Sequence, residues 1–423
     1  MKKFSFHYGR GQKEFSLDES RIIDVVNMPV IEPMADVKQG VLDAIYNPIG
    51  CEPIDKFIKP GDTVAFICND PTRVANSFDF MPVMVNELNK LGVKDEDMHI
   101  VFALGTHREM TQEEMVEAVG EDVASRLKMY NSICKKDEDF EYFGTTSRGT
   151  KVNINKLINH VDHVFLTGTI VYHFFSGYGG GRKAVLPGCA HFETVRHNHS
   201  FMLDPNAQLG ATVGNPVYED QMEGVALWAK NRSVFLFNGI LNEKHEFLKM
   251  FAGNYVDAHK EACKFVDVAY GVPIKEKADI VIVSCGGYPK DINVYQMQKT
   301  MDNAVCACKQ DGVVVLLAEC VEGSGSAVLE ESIKRLGTPD AIEEELRQNF
   351  QIGAHKAFAI TRNMKKAKFI LVSAIDRELA KDLLFTAAVD EVDEAIAMAE
   401  EIVGKDAKII LMPAGSLTLP RPQ

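Results

Sequence analysis

The chain has 423 residues, of which 46% are hydrophobic and 25% charged, and a formal net charge of −14 at pH 7. Its length exceeds the size at which one hydrophobic core keeps growing, so two domains are expected. The acidic balance argues against a nucleic-acid binder and against a protein held on membranes by a basic surface.

Localisation follows from what the sequence lacks. No apolar run reaches the roughly 18 residues of a transmembrane helix, and the first residues do not show a signal-peptide pattern. The nine cysteines form no CxxC pair, which is typical of reduced thiols. A cytoplasmic protein without membrane partners is expected.

Short apolar runs bounded by Gly, Asp or Pro recur along the chain, and segments with helical spacing lie between several of them. This alternation predicts an α/β fold with largely parallel sheets. The predicted strands are Thr63–Cys68, Met98–Leu104, His163–Thr167, Val234–Phe237, Ile280–Ser284, Val313–Leu317, Phe369–Val372 and Ile409–Met412. The predicted helices are Pro82–Leu91, Thr111–Val119, Asp257–Phe265, Tyr295–Cys306 and Glu391–Val403.

The segment GVPIKEKAD near residue 275 separates a helical pattern from a renewed alternation of strands and helices. We therefore predict an N-terminal α/β domain over residues 1–270 and a C-terminal α/β domain over 275–423, with an active-site cleft between the two. Ligands of open α/β sheets lie beyond the carboxyl ends of the strands. The loops that follow the predicted strands are thus the first places to look for a site.

Two such loops carry polar candidates. Asp70-Pro-Thr72-Arg73 follows one strand and suits an anion, although an N-cap Asp with a solvated Arg is the ordinary interpretation. His107 follows the next strand, just before a capping box formed by Thr111 and Glu114. A rigidly held imidazole suits catalysis, but a lone loop histidine is as often a surface residue.

A glycine-rich stretch ends in Arg182–Lys183 after the strand that contains Leu166. It does not match the P-loop, because Ala184 stands where that motif has Ser or Thr. A GxGxxG motif in a strand–turn–helix setting is also absent, which disfavours conventional NAD binding. A phosphate-bearing organic cofactor held by glycine amides and Arg182 remains open.

Three histidines after this stretch suggest a zinc site: His191, His197 and His199. Neither an HExxH motif nor a suitably spaced carboxylate accompanies them. On a helix the last two point about 200° apart, so they would not share one metal ion.

In the C-terminal half, a turn from Gly286 to Asp291 leads into a helical segment. Gln296 and Lys299 share one face of that helix, where an amide and an ammonium suit a carboxylate. A solvated helix surface is the alternative.

Together these segments resemble the nickel-dependent lactate racemase family along nearly the whole chain. Four motifs carry the resemblance: DPTR at Asp70–Arg73, GTHRxMTxEE at Gly105–Glu114, TGxIxxHxxxGxxGGRK with the later RHNH at Thr167–His199, and GxPKDxNxYQxxK at Gly287–Lys299. Each motif alone is weak evidence for the family, whereas all four motifs in this order are specific to it.

The resemblance implies nickel held in a pincer nucleotide, a pyridinium-3,5-bisthiocarboxylic acid mononucleotide cofactor that dedicated cofactor-synthesis enzymes supply. The family's tethering lysine falls on Lys183, and its single protein ligand to nickel falls on His199. We assign further cofactor contacts to Arg182, Gly180, Gly181, Asp70 and Thr72.

The resemblance also implies an isomerase that racemises or epimerises a 2-hydroxy acid by reversible hydride transfer through a 2-keto acid. The family's two acid–base histidines fall on His107 and His173. Its substrate contacts fall on Arg73, Tyr295, Gln296 and Lys299. This chemistry suits two imidazoles because each enantiomer places the hydroxyl proton differently, and imidazole exchanges protons near neutral pH.

The chain departs from the family pattern in one respect that bears on the substrate. The family's lactate enzymes have a Trp in the second domain, whereas the only Trp here is Trp228 and Phe358 takes the corresponding place. A larger hydroxy acid, or one with a second carboxylate met by His355, Lys356 or Arg362, is therefore also expected. The alternatives are a non-catalytic cofactor- or anion-binding protein and, less favoured, a zinc-dependent hydrolase.

Overall fold

The computed structural model describes residues 1–70 and 73–422. The chain forms two compact units, each with its own six-stranded sheet. We call Ile31–Val266 the central unit, and Met1–Val30 together with Asp267–Gln423 the terminal unit. The predicted α/β fold with largely parallel sheets is confirmed.

The chain begins with an antiparallel hairpin of β1 (Lys2–Tyr8) and β2 (Gly11–Leu17). Strand β3 (Ile22–Val25) follows. Phe6, Phe15 and Leu17 of the hairpin are buried in the core of the terminal unit. All three strands therefore belong to that unit.

The central unit alternates strands and helices. In chain order its elements are α1 (Val37–Tyr46), α2 (Ile54–Phe57), β4 (Val64–Asn69), α3 (Ser77–Lys90), β5 (Met98–Ala103), α4 (Gln112–Val119), α5 (Glu121–Arg126), β6 (Lys128–Asn131), β7 (Phe140–Thr145), β8 (Lys151–Asn155), β9 (His163–Thr169), β10 (Tyr172–His173), β11 (Gly177–Tyr178), α6 (Phe192–Ser200), α7 (Pro216–Ala229), β12 (Ser233–Leu241) and β13 (Phe247–Asn254). Helix α8 (Asp257–Tyr270) then runs across the limit of the unit at Val266.

The sheet of the central unit has the strand order β13-β12-β9-β4-β5-β6, and every pair is parallel except β12 with β13. β4 reads VAFICN, and its first five residues are buried. Such continuous burial is expected of a parallel strand covered on both faces. The carboxyl ends of β4, β5 and β9 share one edge of the sheet.

The C-terminal part of the terminal unit repeats the alternation. Its elements are β14 (Gly271–Ile274), β15 (Ala278–Ser284), α9 (Val294–Ala307), β16 (Cys308–Leu317), α10 (Ala327–Leu336), α11 (Pro339–Gln348), α12 (His355–Met364), β17 (Ala367–Val372), α13 (Arg377–Asp382), β18 (Ala387–Val389), α14 (Val392–Val403), β19 (Ile409–Met412) and β20 (Leu419–Pro422). Its sheet is parallel throughout, with the order β18-β17-β16-β15-β19-β3.

The two units differ from the predicted domain bounds at the N-terminus. Residues 1–30 belong to the terminal unit because β3 pairs with β19, with Ile22 opposite Ile409. The later limit lies within α8 rather than in the segment near residue 275. All eight predicted strands and all five predicted helices coincide with observed elements, and α3 begins five residues before the predicted Pro82.

Candidate active site

The candidate site of the central unit is built on the carboxyl edge of its sheet. Asp70 and Arg73 follow β4, His107 follows β5, and the segment from His173 to Lys183 follows β9. Thr72 lies outside the described residues. Since neighbouring parallel strands end at the same edge, these loops lie side by side.

His107 is held beside a carboxylate. Its Nδ1 lies 3.2 Å from Oδ2 of Asp70, whose side chain is only 8% exposed while that of His107 is 44% exposed. Two interactions stabilise the loop that carries His107. Thr111 and Glu114 form the predicted capping box at the start of α4, and Arg108 forms a salt bridge with Glu114. A carboxylate at Nδ1 favours the tautomer that leaves the Nε2 lone pair free to accept a proton.

His173 lies on β10, opposite Gly177 of β11. The backbone N–H of Ser176 donates to its Nδ1 at 3.3 Å, and the ring packs edge-on against Phe175 with the centroids 4.6 Å apart. Burial, followed by the positive charges of Lys183 and Arg73, lowers the pKa of His173 well below its usual value. The imidazole is therefore neutral at neutral pH.

Lys183 lies in a 3-10 turn over Gly181–Ala184 that follows the glycine-rich stretch. Burial, then the charges of Arg73 and Arg182, lower the pKa of the Lys183 amine well below its usual value. Its Nζ lies 5.7 Å from the centroid of the Phe175 ring. A neutral amine is a nucleophile, so this environment suits a covalent attachment point.

The glycines before Lys183 are required by protein packing. Gly180 and Gly181 have φ values of 66° and 55°, and a Cβ on Gly181 would lie 2.4 Å from Cδ2 of His259. His259 in turn contacts the Gly179 carbonyl oxygen through Nε2 at 2.8 Å. The turn that presents Lys183 is thus clamped from α8.

Arg182 lies inside the protein, with 1% of its surface exposed. Its Nη2 donates to the carbonyl oxygen and hydroxyl of Ser176 at 2.8 and 2.7 Å, and the guanidinium lies 3.9 Å from the centroid of Tyr218. Burial lowers its pKa to about 10. Arg182 therefore anchors the glycine-rich loop, and its contact with a cofactor phosphate stays a prediction.

His199 lies near the end of α6, with its ring edge-on to Phe175 at a centroid distance of 5.0 Å. Phe175 thus contacts the rings of both His173 and His199. Because His173 feels the charge of His199, the two imidazoles and the Lys183 amine form one cluster.

The other two histidines of the segment are engaged elsewhere. His191 caps α6 through Nδ1 and meets Asp137 through Nε2 at 2.9 Å, while Nδ1 of His197 lies 2.8 Å from the Thr150 hydroxyl. His197 and His199 lie on helix α6, so they point in different directions and do not share one metal ion. In residues 1–70 and 73–422 no three His, Cys, Asp or Glu side chains converge to hold a metal ion.

A buried polar network supports this cluster, and the sequence analysis missed it. Gln221 donates to Asn198 at 3.0 Å and accepts from the Ser176 hydroxyl at 2.8 Å, and Asn198 donates to Asp220 at 2.8 Å. All four residues are fully buried. The network joins the helix of His199 to the loop of His173 and Lys183.

Asn215 adds a second link from α7. Its side-chain oxygen caps the helix by accepting from the N–H groups of Val217 and Tyr218, and its amide donates to the Phe175 carbonyl oxygen at 2.9 Å. An Asn–Pro pair before a helix was the available signal for the cap. The signal for Gln221 was a polar pair within a mostly apolar helix.

In the terminal unit, α9 carries the predicted substrate contacts. The Asn293 side chain caps this helix by accepting from the N–H of Gln296 at 3.0 Å. Gln296 and Lys299 are exposed, and Tyr295 is half-buried. The turn before the helix is held by buried Asp291, which accepts from the Gly9 N–H at 2.7 Å.

The nine cysteines are free thiols, and most of them are buried. Burial raises the pKa of Cys189 to about 12. Cys189, which lies within the histidine-rich segment, is therefore an unreactive packing residue at neutral pH. Among the residues that the structure describes, no helix is long and apolar enough to cross a bilayer.

The fold and the site define an α/β enzyme with a half-buried lysine amine and with imidazoles in the loops at its strand ends. Family models match the lactate racemase N-terminal domain over residues 8–210 and the lactate racemase C-terminal domain over 274–418. The chain belongs to the lactate racemase family and is an isomerase, a racemase.

Named relatives cover the chain almost completely. The lactate racemase of Thermoanaerobacterium thermosaccharolyticum is 31% identical over 424 residues, 98% of both chains. The lactate racemase of Lactiplantibacillus plantarum is 31% identical over 388 residues, 89% of both. The lactate racemase apoprotein structure from T. thermosaccharolyticum superimposes with a TM-score of 0.89, covering 99% of this chain and 100% of that one.

Proposed function

We propose that this racemase interconverts the enantiomers or epimers of a 2-hydroxy acid, either lactate, as in the named relatives, or a larger one. The observation that carries the proposal is the cluster of Lys183, His173 and His199 around Phe175, with the His107–Asp70 pair on a neighbouring strand end. A binding protein without turnover would not need two imidazoles in these settings.

The donor set suits the nickel-pincer nucleotide that the family implies. A covalent tether requires the neutral form of a lysine amine, and the low pKa of half-buried Lys183 favours that form. The imidazole of His199 is a common nickel ligand and lies within the same cluster. When bound, the cofactor supplies a reversible hydride acceptor, which allows a planar 2-keto acid to form.

The proton of the substrate hydroxyl is handled by His107 and His173. His107, with Asp70 at Nδ1, presents a basic Nε2, whereas the Ser176 N–H at Nδ1 of His173 favours a proton on Nε2. To accept a proton on Nε2, His173 must carry its own proton on Nδ1, which gives up this 3.3 Å hydrogen bond from Ser176. We propose that His107 is the base for one enantiomer and His173 the base for the other.

We propose that positively charged side chains bind the carboxylate of the substrate. Arg73 is exposed at the end of β4, and its charge reaches both His173 and Lys183. A planar guanidinium suits a carboxylate because it donates two parallel hydrogen bonds. We propose Arg73 and Lys299 as carboxylate contacts, and Tyr295 and Gln296 as further substrate contacts.

The remaining cofactor contacts are also proposals. We propose that Gly180 and Gly181 face the cofactor, that Arg182 holds their loop, and that Asp70, at the end of β4, and Thr72 are further contacts. Nickel and the pincer nucleotide would be delivered by cofactor-synthesis enzymes, so we propose those enzymes as partners.

The test is a panel of single-enantiomer 2-hydroxy acids, incubated with protein produced together with the cofactor-synthesis enzymes. We expect chirality to be lost for at least one acid, with nickel and a visible charge-transfer band in the same preparation. Loaded protein that binds these acids yet racemises none of them would contradict the proposal.

His107→Ala and His173→Ala test the two-base scheme. Each variant should lose racemisation, because one direction of proton transfer lacks its base, while the covalent mass adduct on the protein persists. Full activity in either variant would exclude the scheme.

A further inference from the structure

Two buried polar side chains contact the backbone of the glycine turn that leads into Lys183. We call Gly179–Gly181 the tether turn. His259 of α8 and Asn238 of β12 each form a hydrogen bond with it, and they are 2% and 1% exposed. The proton transfers proposed above involve neither residue, so their place beside this turn calls for another role.

His259 contacts the tether turn through a hydrogen bond and through packing. Its Nε2 lies 2.8 Å from the Gly179 carbonyl oxygen, and because a carbonyl oxygen only accepts, Nε2 carries the proton and donates it. The imidazole also lies so close to Gly181 that a Cβ there would be 2.4 Å from Cδ2 of the ring. The turn can approach the imidazole this closely only because residue 181 is a glycine.

The imidazole of His259 is neutral. Burial, followed by the positive charge of Arg182, lowers the pKa of His259 to about 3. A histidine with this pKa exchanges no proton at neutral pH. Its hydrogen bond to the tether turn is therefore the same throughout the neutral range.

Asn238 holds the other end of the tether turn. Its Oδ1 accepts from the Gly181 N–H at 2.8 Å, and its Nδ2 donates to the Phe237 carbonyl oxygen at 2.8 Å. Asn238 lies within β12, opposite Gly168 of β9. The turn is thus attached to the central sheet as well as to α8.

The backbone of Lys183 follows the tether turn. The Lys183 N–H donates to the Gly180 carbonyl oxygen at 3.1 Å. The amine lies 5.7 Å from the centroid of the Phe175 ring, and burial is the largest cause of its low pKa. Displacement of the turn would therefore change both the place and the protonation of the amine.

We propose that His259 and Asn238 are positioning residues, which hold the tether turn in place before the cofactor arrives and so fix the Lys183 amine for covalent attachment. This inference rests on the proposed function, in which Lys183 is the tether. A turn that is already ordered favours attachment, because the amine need not be ordered when the cofactor binds.

The test compares two variants of His259. His259→Phe keeps a planar ring but has no donor, whereas the side-chain amide of His259→Gln can still donate to the Gly179 carbonyl oxygen. The first readout is the pH profile of Lys183 acetylation by acetic anhydride in the apoprotein, followed by peptide mass spectrometry. The second is the fraction of chains that carry the covalent adduct after production with the cofactor-synthesis enzymes.

His259→Phe should change both readouts. The acetylation profile should move up toward the pH range of an ordinary lysine, because the amine leaves its buried position. The adduct fraction should fall by about 10-fold, since a small misplacement of a reacting group is costly. His259→Gln should keep the native acetylation profile and most of the adduct.

His163→Phe is the matched control. His163 is also a buried histidine of the central unit, 7% exposed, and its ring contacts Ser233 and Asp62 at the start of β9. This variant should lower the free energy of unfolding yet leave the acetylation profile of Lys183 unchanged. A shift of the profile in His163→Phe as large as that in His259→Phe would show a general effect of lost stability and would overturn the positioning role.

Hydrogen exchange of the native apoprotein tests the ordered turn without any variant. The Gly181 amide, which donates to Asn238, should exchange at least about 10-fold more slowly than an unprotected amide. This measurement decides the question if His259→Phe does not fold.

The remaining outcomes are distinguishable. Rapid exchange of the Gly181 amide, native readouts in His259→Phe, or equal losses in His259→Phe and His259→Gln would overturn the positioning role. Loaded native protein without an adduct on Lys183 would instead overturn the proposed tether, while the acetylation profile would still test the effect of His259 on the amine.

Discussion

The amine of Lys183 shows how neighbouring residues set the chemistry of one side chain. Burial disfavours its charged form, and the cations Arg73 and Arg182 disfavour it further. Arg182 is itself held away from solvent by Ser176 and Tyr218. These neighbours therefore favour the neutral, nucleophilic form of the Lys183 amine.

Replacement of Lys183 by alanine should remove the covalent cofactor. Intact-protein mass spectrometry of the variant, produced with the cofactor-synthesis enzymes, should show the mass of the bare chain, because no other residue is proposed as the tether. An adduct that persists would place the tether elsewhere. Lys151→Ala, at an exposed position of β8, is the control that should keep the adduct.

Asp70→Asn tests the tautomer of His107. An amide in place of the carboxylate no longer stabilises a proton on Nδ1, so Nε2 loses part of its basicity. We expect kcat to fall by about 10²-fold, the lower end of what a positioned base contributes, with KM nearly unchanged. An unchanged kcat would show that the 3.2 Å contact has no role in proton transfer.

For single residues, the sequence indicated which side chains are candidates, but it did not indicate in which direction each side chain points. The side chains of His107, His173 and Lys183 are placed by loops that follow strands, which local patterns reveal. The contact of Arg182 with a phosphate stays a prediction, but the direction of its guanidinium into the protein interior was not predictable, because the carbonyls of Ser176 and Tyr178 converge on it only after the loop has folded. No local pattern encodes that direction.

Helices α6 and α7 support the candidate site through hydrogen bonds inside the protein. Asn198 of α6 and Gln221 of α7 are hydrogen-bonded inside the protein, and Ser176 continues the network toward His173. Networks of this kind are stabilising only when every member is satisfied. The orientation of His199 therefore depends on a residue of the next helix.

Gln221→Leu should disturb both ends of this network. The side-chain amide oxygen of Asn198 and the hydroxyl of Ser176 are both buried, and each would lose a hydrogen-bond partner at a cost of about 1–3 kcal/mol. We expect a clear fall in the free energy of unfolding, measured with denaturant, and a lower nickel content in loaded protein. Ala226→Leu, on the exposed side of the same helix, should change stability by less than about 0.5 kcal/mol.

Element boundaries were predictable where the signal was local. Thr111 and Glu114 are three residues apart and form the capping box that the sequence indicated. The contacts of Asp220 with Thr146 and Thr150 join residues that are 74 and 70 positions apart, so they could not be predicted from spacing alone. Polar residues inside α7 were the only trace of it in the sequence.

The molecule as a whole consists of two units that each have a complete sheet and core. Phe66, Phe102 and Phe165 lie in the core of the central unit, whereas Ile282 and Val315 lie in the core of the terminal unit. Such units are expected to have separate stabilities. The predicted domain bounds differed at residues 1–30 because the pairing of β3 with β19 spans nearly the whole sequence, beyond the reach of local patterns.

Trp228 allows the two stabilities to be measured separately. It is the only tryptophan, is fully buried in the central unit, and donates to Asn159 at 2.8 Å. Ile282→Ala, in the terminal unit, should cost about 2–5 kcal/mol and lower the unfolding midpoint seen by circular dichroism more than that seen by tryptophan fluorescence. Ile67→Ala, in the central unit, should lower the fluorescence midpoint. Equal shifts of both signals in both variants would show a single cooperative unit.

The position of β3 has a consequence for synthesis on the ribosome. β3 emerges early, yet β19, with which it pairs, follows more than 380 residues later, after the entire central unit has been translated. The central unit contains all of its own strands and so can complete its sheet while the nascent chain is still growing. The first three strands cannot bury their apolar faces until the rest of the terminal unit has been synthesised. Until then, protection of these faces depends on other components of the cell.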